Sequence, residues 1–289
     1  MTDDIRAEAI ALYDRFTHEG MDRRLFFARM TVLAGSAAAA TSLVAAIAAS
    51  PAAAAIVPEN DERLTTRTMK FSRPAGYSAY VAEPRRRSLK ATVLVIHENR
   101  GLTAHIKDVA RRLALAGYRA VAPDFLSLSG GTPTNEDSAR DAIGKLDLAK
   151  VTSDAVSMLE ELAKSSRGGK VGAVGFCWGG AFVNRLAVAA GGKLDAGVSY
   201  YGPAPDPSEA AKVQAPLLIH LAGLDARVAQ TAFPWIAALR AAGRPVIYQG
   251  YDNVHHAFNN DTSAERYNKA AADLAWKRTL RFFRQHIGA

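Results

Sequence analysis

The chain has 289 residues, with 49% hydrophobic and 22% charged side chains, which are the proportions of an ordinary globular protein. They exclude a disordered, collagen-like or multi-span membrane protein, and the length allows one sizeable domain plus a smaller segment. The formal charge of +8 would suit nucleic acid, but the basic residues are not interleaved with aromatics, so we predict no nucleic-acid partner. A single cysteine excludes an internal disulfide and the usual zinc-binding motifs.

In the N-terminal segment, charged, apolar and small residues follow one another in the order that is typical of an export signal. Arg23 and Arg24 precede an uncharged, alanine-rich stretch at residues 31–55, which ends in small residues that suit a signal peptidase. Residues 22–30 resemble a twin-arginine export signal. The resemblance implies the export machinery as a partner and a periplasmic or secreted mature chain. The alternative is a membrane anchor at residues 31–50, because about 20 apolar residues can span a bilayer.

The chain therefore divides into two predicted parts. Residues 1–55 form a twin-arginine-type signal segment with an N-terminal extension, and residues 56–289 form a domain that cleavage ahead of Ile56 would release. Within the extension, apolar residues recur at helical spacing and predict a short amphipathic helix. These residues are Ile5, Ala9, Leu12 and Phe16.

Downstream of the signal segment, apolar runs of strand length alternate with longer helical patterns. We predict strands at residues 68–72, 78–82, 92–97, 119–123, 170–176, 196–201, 216–222 and 246–251. We predict helices at residues 106–116, 149–163, 179–190, 231–242 and 263–286. Several strands are apolar throughout, which is typical of strands covered on both faces. The sequence therefore predicts an α/β fold with a mostly parallel central sheet, helices on both faces, and an antiparallel hairpin of the first two strands at one edge.

The most informative segment runs from a predicted strand into a helix through Gly175, Cys177 and Gly179. Its pattern, G-x-C-x-G, is that of a nucleophile elbow with cysteine in place of serine. Glycines without a Cβ allow the helix and the strand to approach at this tight turn, so that the nucleophile projects above the sheet edge. The helix N-terminus would also favour the Cys177 thiolate. The alternative is a buried free cysteine that acts only as a small apolar side chain.

An elbow nucleophile requires an acid and then a histidine later in the chain, each at the end of a strand. Asp225 follows the predicted strand at residues 216–222, and His255 and His256 follow the strand at residues 246–251. Because the carboxyl ends of parallel strands meet at one edge of the sheet, we expect these side chains to approach the nucleophile. The residues alone leave both histidines open as the base, and the aspartate could instead cap a turn.

Several short motifs after residue 68 are shared with a known family. They are VIHENRGL at residues 95–102, AGY at 116–118, APD at 122–124, GFCWGG at 175–180, YG at 201–202, GLD at 223–225 and HAF at 256–258. Through them the chain resembles the dienelactone hydrolase family of the α/β-hydrolase fold. The resemblance assigns Cys177 as the nucleophile, His256 as the base and Asp225 as the residue that orients the base. His256 is preferred to His255 because the family pattern is His, a small residue and Phe.

The resemblance also implies roles for the loop after a buried strand. Glu98 matches a modulating glutamate that lies against the resting thiol in the family, where a carboxylate would disfavour the thiolate by charge repulsion. The backbone N–H groups of Asn99 and Trp178 match the oxyanion hole, where negative charge develops on the substrate carbonyl. The alternative for Glu98 is a loop carboxylate paired with Arg100 or Arg111.

The segments in which the family carries substrate-binding arginines have none here. These segments are FLSLSGG at residues 125–131 and FNND at residues 258–261. Enzymes of the family that act on dienelactone hold its carboxylate with such arginines. We therefore expect a small-molecule ester or lactone as the substrate, with a preference for uncharged substrates.

The sequence thus predicts a carboxylic ester hydrolase that works through a thioester of Cys177 and needs no metal or organic cofactor. One alternative is a general short-chain carboxylesterase, which differs only in the specificity of its pocket. Another is a non-hydrolytic protein on the same fold that uses Cys177 as a redox or binding thiol. His97, His105 and His220 are dispersed along the chain, and we expect them to be packing or surface histidines.

Overall fold

The computed structural model describes residues 3–48, 55–85, 91–166 and 169–288. At its centre is an eight-stranded sheet built from the apolar runs of the sequence. The strands are β1 (Leu64–Lys70), β2 (Ser78–Pro84), β3 (Thr92–Ile96), β4 (Arg119–Pro123), β5 (Val171–Phe176), β6 (Ala196–Tyr200), β7 (Leu217–Ala222) and β8 (Val246–Tyr251).

Helices precede the sheet at the N-terminus and then fill the intervals between strands. Several begin at a side chain that accepts a backbone N–H of the first turn, as Asn135, Asp147 and Asn268 do. The helices are α1 (Asp3–His18), α2 (Arg23–Ala34), α3 (Ala37–Ile47), α4 (Ala104–Leu115), α5 (Glu136–Gly144), α6 (Leu148–Ser165), α7 (Trp178–Ala190), α8 (Ala226–Ala241) and α9 (Lys269–Ile287).

The strands lie in the order β1-β2-β4-β3-β5-β6-β7-β8. Strands β1 and β2 form an antiparallel pair at one edge, β2 runs antiparallel to β4, and the strands from β4 to β8 are parallel to one another. Helices α4 and α9 cover one face of the sheet, and α6, α7 and α8 cover the other. The predicted fold class, a mostly parallel sheet with helices on both faces, is therefore confirmed.

The loops that contain the candidate site residues follow strands in the middle of the sheet. Strands β3, β5, β6 and β7 are buried at every residue, as their continuous apolar runs predict. Burial of each large aliphatic side chain contributes about 1.5–3 kcal/mol, so these strands form the most stable part of the domain. The loops that follow them at their carboxyl ends consequently start from fixed positions.

Three predicted boundaries are wrong, because the ends of elements depend on partners that periodicity does not reveal. Strand β1 begins at Leu64, earlier than predicted, since it pairs with β2 over its full length. Helix α8 begins at Ala226, also earlier, because the side chain of Asp225 caps it. Helix α9 begins only at Lys269, after its cap Asn268. The other ends agree with the prediction to within about two residues, the usual scatter of assigned ends.

Helices α1, α2 and α3 share a small core of their own. Ala9, Leu12 and Phe16 are buried in it, which confirms the predicted amphipathic helix of the N-terminal extension. The ring of Phe16 stacks on that of Phe26 at a centroid distance of 4.2 Å. Asp22 caps α2 by accepting backbone N–H groups of the first turn, which explains an acidic residue directly before the arginine pair.

The apolar N-terminal helices bear on the alternative of a membrane anchor. No single helix of the described residues is both long and apolar enough to cross a membrane. Helices α2 and α3 reach that length only together, as a pair bent by 105°. Of the predicted cleavage region at residues 53–55, residues 53 and 54 lie outside the described residues.

Candidate active site

The turn between β5 and α7 holds Cys177 in a strained conformation. Its φ of 55° lies in the left-handed region, which non-glycine residues seldom adopt. A Cβ at Gly175 would come within 2.0 Å of the carbonyl oxygen of Gly179, and one at Gly179 within 2.3 Å of the carbonyl oxygen of Ile96. Both glycines are therefore required by close approach of the backbone, as the elbow pattern predicts. The strain raises the cysteine above the carboxyl edge of the sheet.

Asp225 and His256 come together from two different loops. Asp225 follows β7 and His256 follows β8, and the Nδ1 atom of His256 lies 2.6 Å from the Oδ2 atom of Asp225. The other oxygen of Asp225 accepts the backbone N–H of Val228 at 3.1 Å, so the carboxylate also caps helix α8. The aspartate consequently fixes the histidine ring in one orientation.

Charge on this pair is stabilised despite its burial. Burial opposes a charge on His256, but the neighbouring Asp225 and Cys177 raise the pKa of His256 to about 10. Burial also opposes ionisation of Asp225, and the charge of His256 nevertheless lowers the pKa of the aspartate. The two shifts have one physical cause, the attraction between the imidazole and the carboxylate.

His256 is directed at Cys177 through its second ring nitrogen. The Nε2 atom is buried and has no hydrogen-bond partner among the described residues, and it lies within 4.8 Å of the Cys177 sulfur. His255, the neighbouring residue, is only half-buried, and burial lowers its pKa. The structure therefore brings His256 to the cysteine, and it brings His255 to neither Cys177 nor Asp225.

Glu98 lies at the mouth of the same site. It is buried, and its Oε2 atom accepts a hydrogen bond of 2.8 Å from the side chain of Asn260. The alternative partners are engaged elsewhere: Arg100 pairs with Glu136, and Arg111 donates to the carbonyl oxygen of Val57. A Glu98 ion pair with either arginine is therefore not present.

The two residues expected to supply the oxyanion hole each lie directly after a site residue, Asn99 after Glu98 and Trp178 after Cys177. Trp178 is the first residue of α7, so its N–H has no intrahelical acceptor. Its indole stacks on His97 at 5.4 Å and on Phe182 at 5.1 Å, which holds the start of the helix rigidly. Asn99 lines the cavity in the tight turn after β3.

The three dispersed histidines pack inside the domain. The Nδ1 atom of His97 contacts the carbonyl oxygen of Glu98 at 2.7 Å. His105 pairs with Asp261, and His220 contacts Tyr251 and Thr279. All three are buried, which confirms the expectation of packing or surface histidines, with packing as the outcome for each.

Helix α1 ends at the reactive atoms. Both ring nitrogens of its last residue, His18, lie 4.0 Å from the Cys177 sulfur, and its ring meets that of His256 at a centroid distance of 4.8 Å. Burial, reinforced by the charge of His256, lowers the pKa of His18 well below its usual range. A neutral imidazole from the N-terminal segment thus faces the cysteine.

Further contacts hold helix α1 over the cavity. The carbonyl oxygen of Thr17 accepts an N–H from the side chain of Asn99 at 3.3 Å, and Tyr13 hydrogen-bonds to Arg100. Arg6 of α1 also pairs with Glu265. Helices α2 and α3 are joined to the domain by Arg23 with Asp137, which is exposed, and by a buried hydrogen bond from the Ser263 hydroxyl to the carbonyl oxygen of Ile47. The N-terminal segment therefore packs against the domain at residues 56–289, although the sequence predicts that cleavage separates the two.

The cavity left beneath α1 is too small for an ester. It measures about 20 Å³, which is room for about one water molecule. Its lining includes His18, Glu98, Cys177, His256 and Arg266. A substrate can reach the cysteine only after α1 moves away.

Arg266 is the site residue that sequence reasoning missed. Its guanidinium is buried beside the cavity, where it lies 3.5 Å from the Asp14 carboxylate and donates from Nε to the Ser263 hydroxyl at 2.9 Å. An arginine therefore borders the site, although the segments at residues 125–131 and 258–261 contain none. The loop at residues 257–268 has no periodic pattern. The sequence analysis placed Arg266 inside the helix predicted at residues 263–286, which in the structure begins only at Lys269.

Comparisons with known proteins identify the family and agree with the fold. Residues 77–287 match the model of the dienelactone hydrolase family. Over 225 residues the chain is 33% identical to a Methylorubrum extorquens protein that carries the name carboxymethylenebutenolidase, covering 72% of this chain and 76% of that protein. A Saccharolobus solfataricus protein of the same name is 32% identical over 244 residues, which cover 72% and 93% of the two chains.

A solved structure gives the same result for the fold. The crystal structure of a Klebsiella pneumoniae protein named as a dienelactone hydrolase superposes with a TM-score of 0.68 at 28% identity. The match covers 77% of this chain and 100% of that one. Family model, relatives and architecture thus agree: the chain belongs to the dienelactone hydrolase family and is a carboxylic ester hydrolase.

Proposed function

We propose that the chain hydrolyses an ester or lactone with Cys177 as the nucleophile, His256 as the general base and Asp225 as the residue that orients His256. The observation that carries this proposal is the 2.6 Å contact between His256 and Asp225, which leaves the Nε2 atom of His256 directed at the cysteine. The strained turn at Cys177 supports the same assignment, because strain of this kind persists where function requires it.

The proposed reaction has two stages. The Cys177 sulfur attacks the carbonyl carbon, and the proton that it shares with His256 Nε2 passes to the departing alkoxide, so that an alcohol leaves and a thioester remains. Water then attacks the thioester, giving its proton to His256, and the carboxylic acid departs as the sulfur is restored. The N–H groups of Asn99 and Trp178 stabilise the oxyanion of each tetrahedral intermediate.

Glu98 acts in this proposal as a restraint on the resting thiol. Its carboxylate is held by Asn260 at the cavity, so it adds negative charge near the sulfur without joining the chemistry. Negative charge there favours the protonated sulfur over the thiolate. The cysteine is thereby protected from unwanted electrophiles until substrate binds.

The substrate class follows from the relatives and from the cavity. The names of the relatives point to lactones such as dienelactone, and Arg266 offers a buried cation for a carboxylate on the substrate. We therefore propose small esters and lactones, including acidic ones, and not long-chain lipids. A general short-chain carboxylesterase would instead turn over uncharged esters without regard to Arg266.

The test is a panel of aryl esters and lactones on the chain that begins at Ile56, with Cys177→Ala as the control. Turnover that disappears in Cys177→Ala supports the proposed function. Reversible oxidation of Cys177 without turnover of any ester would contradict it and favour a thiol-based binding or redox protein.

We also propose that residues 1–55 direct export to the periplasm or beyond the cell. The support is the pair Arg23 and Arg24 ahead of an uncharged apolar stretch. N-terminal sequencing of the exported protein should find a chain that begins near Ile56, and replacement of both arginines by lysine should retain the protein in the cytoplasm. A product that begins at Met1 and stays in the cytoplasm contradicts this proposal, and one that begins at Met1 but remains in the membrane favours the anchor.

A further inference from the structure

Three side chains with metal-binding atoms meet at the covered cavity. His18 comes from the N-terminal helix α1, and Cys177 and His256 come from the hydrolase domain. Their ligand atoms, one from each residue, lie within 4.8 Å of one another. Both ring nitrogens of His18 are 4.0 Å from the Cys177 sulfur, so either can serve.

This donor set suits zinc or a similar divalent cation. Zinc binds thiolate sulfur at about 2.3 Å and imidazole nitrogen at about 2.0–2.1 Å in a tetrahedral arrangement. Ligand atoms around such an ion are therefore about 3.3–3.6 Å apart. Side-chain movements of about 1 Å would bring the observed atoms to these separations, and the fourth position would remain for water.

His256 has the surroundings of a metal-binding histidine. Its Nδ1 atom contacts the Asp225 carboxylate at 2.6 Å, an arrangement that orients metal-bound imidazoles in many proteins. Its Nε2 atom is directed into the cavity and has no partner among the described residues, although the side chain is only 2% exposed. The Cys177 sulfur that faces this nitrogen is a weak hydrogen-bond partner, so a cation held between the two atoms would bind each of them more strongly.

The cavity has the dimensions of a site for a single ion. Its volume of about 20 Å³ holds one water-sized occupant and excludes an organic ligand. The carboxylate of Glu98 borders it, and the two arginines of its lining are paired with other carboxylates, Arg100 with Glu136 and Arg266 with Asp14. A small cation is therefore the occupant that both size and chemistry favour.

We propose that His18, Cys177 and His256 form an inhibitory binding site for Zn²⁺ in the chain that retains its N-terminal segment. In the metal-free site one proton is shared between the Cys177 sulfur and His256 Nε2, and binding releases that proton to solvent. The ion then occupies the sulfur and the nitrogen that hydrolysis needs, and it ties α1 to the domain. This proposal concerns binding and does not depend on which ester is hydrolysed.

The experiment uses the full chain, stripped of metal by a chelator. Titration with Co²⁺ should give one equivalent of binding and an absorption band from thiolate-to-cobalt charge transfer, and Zn²⁺ should displace the cobalt. Calorimetry gives the affinity for Zn²⁺. In His18→Ala we expect the affinity to fall by about 100-fold or more, since loss of a direct ligand should cost at least as much as loss of an outer partner.

Three further variants distinguish this site from metal binding elsewhere on the chain. His255→Ala removes a histidine that is adjacent to His256 but outside the cluster, so its affinity should match that of the unmodified chain. Cys177→Ser should lose the charge-transfer band. His18→Gln, which keeps a polar side chain, should behave as His18→Ala does, with circular dichroism to verify that both variants fold. Equal affinity in the His18 variants and the unmodified chain, or a band that survives Cys177→Ser, would overturn the proposal.

Discussion

The Asp14 carboxylate of helix α1 lies 3.5 Å from the guanidinium of Arg266, inside the site that the helix covers. The two groups are far apart in the sequence and come from the N-terminal segment and the hydrolase domain. Burial raises the pKa of Asp14, while His256 and Arg266 oppose that rise. The chain thus supplies its own carboxylate to a cation that borders the cysteine.

Removal of the N-terminal segment should increase hydrolysis. Because the covered cavity holds only a water-sized occupant, we expect the chain that begins at Ile56 to have a kcat/KM for aryl esters at least about tenfold above that of the full chain. The solved Klebsiella relative is matched entirely by 77% of this chain, so the fold does not require the rest. Cys177→Ala in both lengths is the control. Equal activity of the two chains, with the full length verified by mass spectrometry, would contradict the prediction.

Replacement of Cys177, His256 or Asp225 by alanine should lower the activity to different extents. We expect Cys177→Ala and His256→Ala to lower kcat by about 10⁵–10⁶-fold, because nucleophile and base act as one unit. Asp225→Ala should cost about 10⁴-fold, since it acts through the histidine. His255→Ala is the matched control and should cost less than about tenfold. If His255→Ala is inactive and His256→Ala is active, the base is wrongly assigned.

Replacement of Glu98 by glutamine should make the cysteine more reactive. Glu98→Gln keeps an oxygen that can accept the Asn260 hydrogen bond but removes a negative charge beside the sulfur. We expect alkylation of Cys177 by iodoacetamide, followed by mass spectrometry in the chain that begins at Ile56, to accelerate roughly threefold to tenfold. Glu209→Gln, on the surface, serves as the control. Unchanged alkylation in Glu98→Gln would mean that the carboxylate does not influence the sulfur.

Arg266 should decide how the enzyme treats charged substrates. Once α1 is removed, the guanidinium loses Asp14 and can receive a carboxylate of the substrate. In the chain that begins at Ile56, Arg266→Gln should raise the KM for a lactone with a free carboxylate by about tenfold or more, because a charged hydrogen bond is worth about 1.5–3 kcal/mol. The methyl ester of the same lactone is the internal control and should be nearly unaffected. An equal effect on both substrates would indicate a structural role only.

The sheet and the reactive groups could be predicted because their signals are local. Continuous apolar runs identify buried strands, and the spacing of Gly175, Cys177 and Gly179 is dictated by a turn in which a Cβ would collide with backbone. Asp225 and His256 follow strands whose carboxyl ends necessarily meet. In these cases the residues adjacent to each reactive side chain determine where that side chain lies.

The contacts of helix α1 could not be predicted in this way. His18 and Cys177 are separated by 159 residues, and nothing in the helical spacing of α1 indicates which surface it covers. The same holds for Arg266, which reaches the cavity from an irregular loop stabilised by Ser263 and Asn260. The hydrophobic pattern of a segment does not identify the residues that it contacts in the folded chain.

The contacts that secure helix α1 differ in how they respond to ionic strength. Arg23 and Asp137 at the rim are substantially exposed, with 63% and 39% of their side chains accessible, and salt screens such pairs strongly. Arg266 and Asp14 are far less accessible, at 6% and 19% of their side chains, so salt screens their attraction less. We therefore expect rising salt to loosen the contacts at the rim first and the contact at Arg266 last, so that the Cys177 sulfur is the last part of the site to be uncovered.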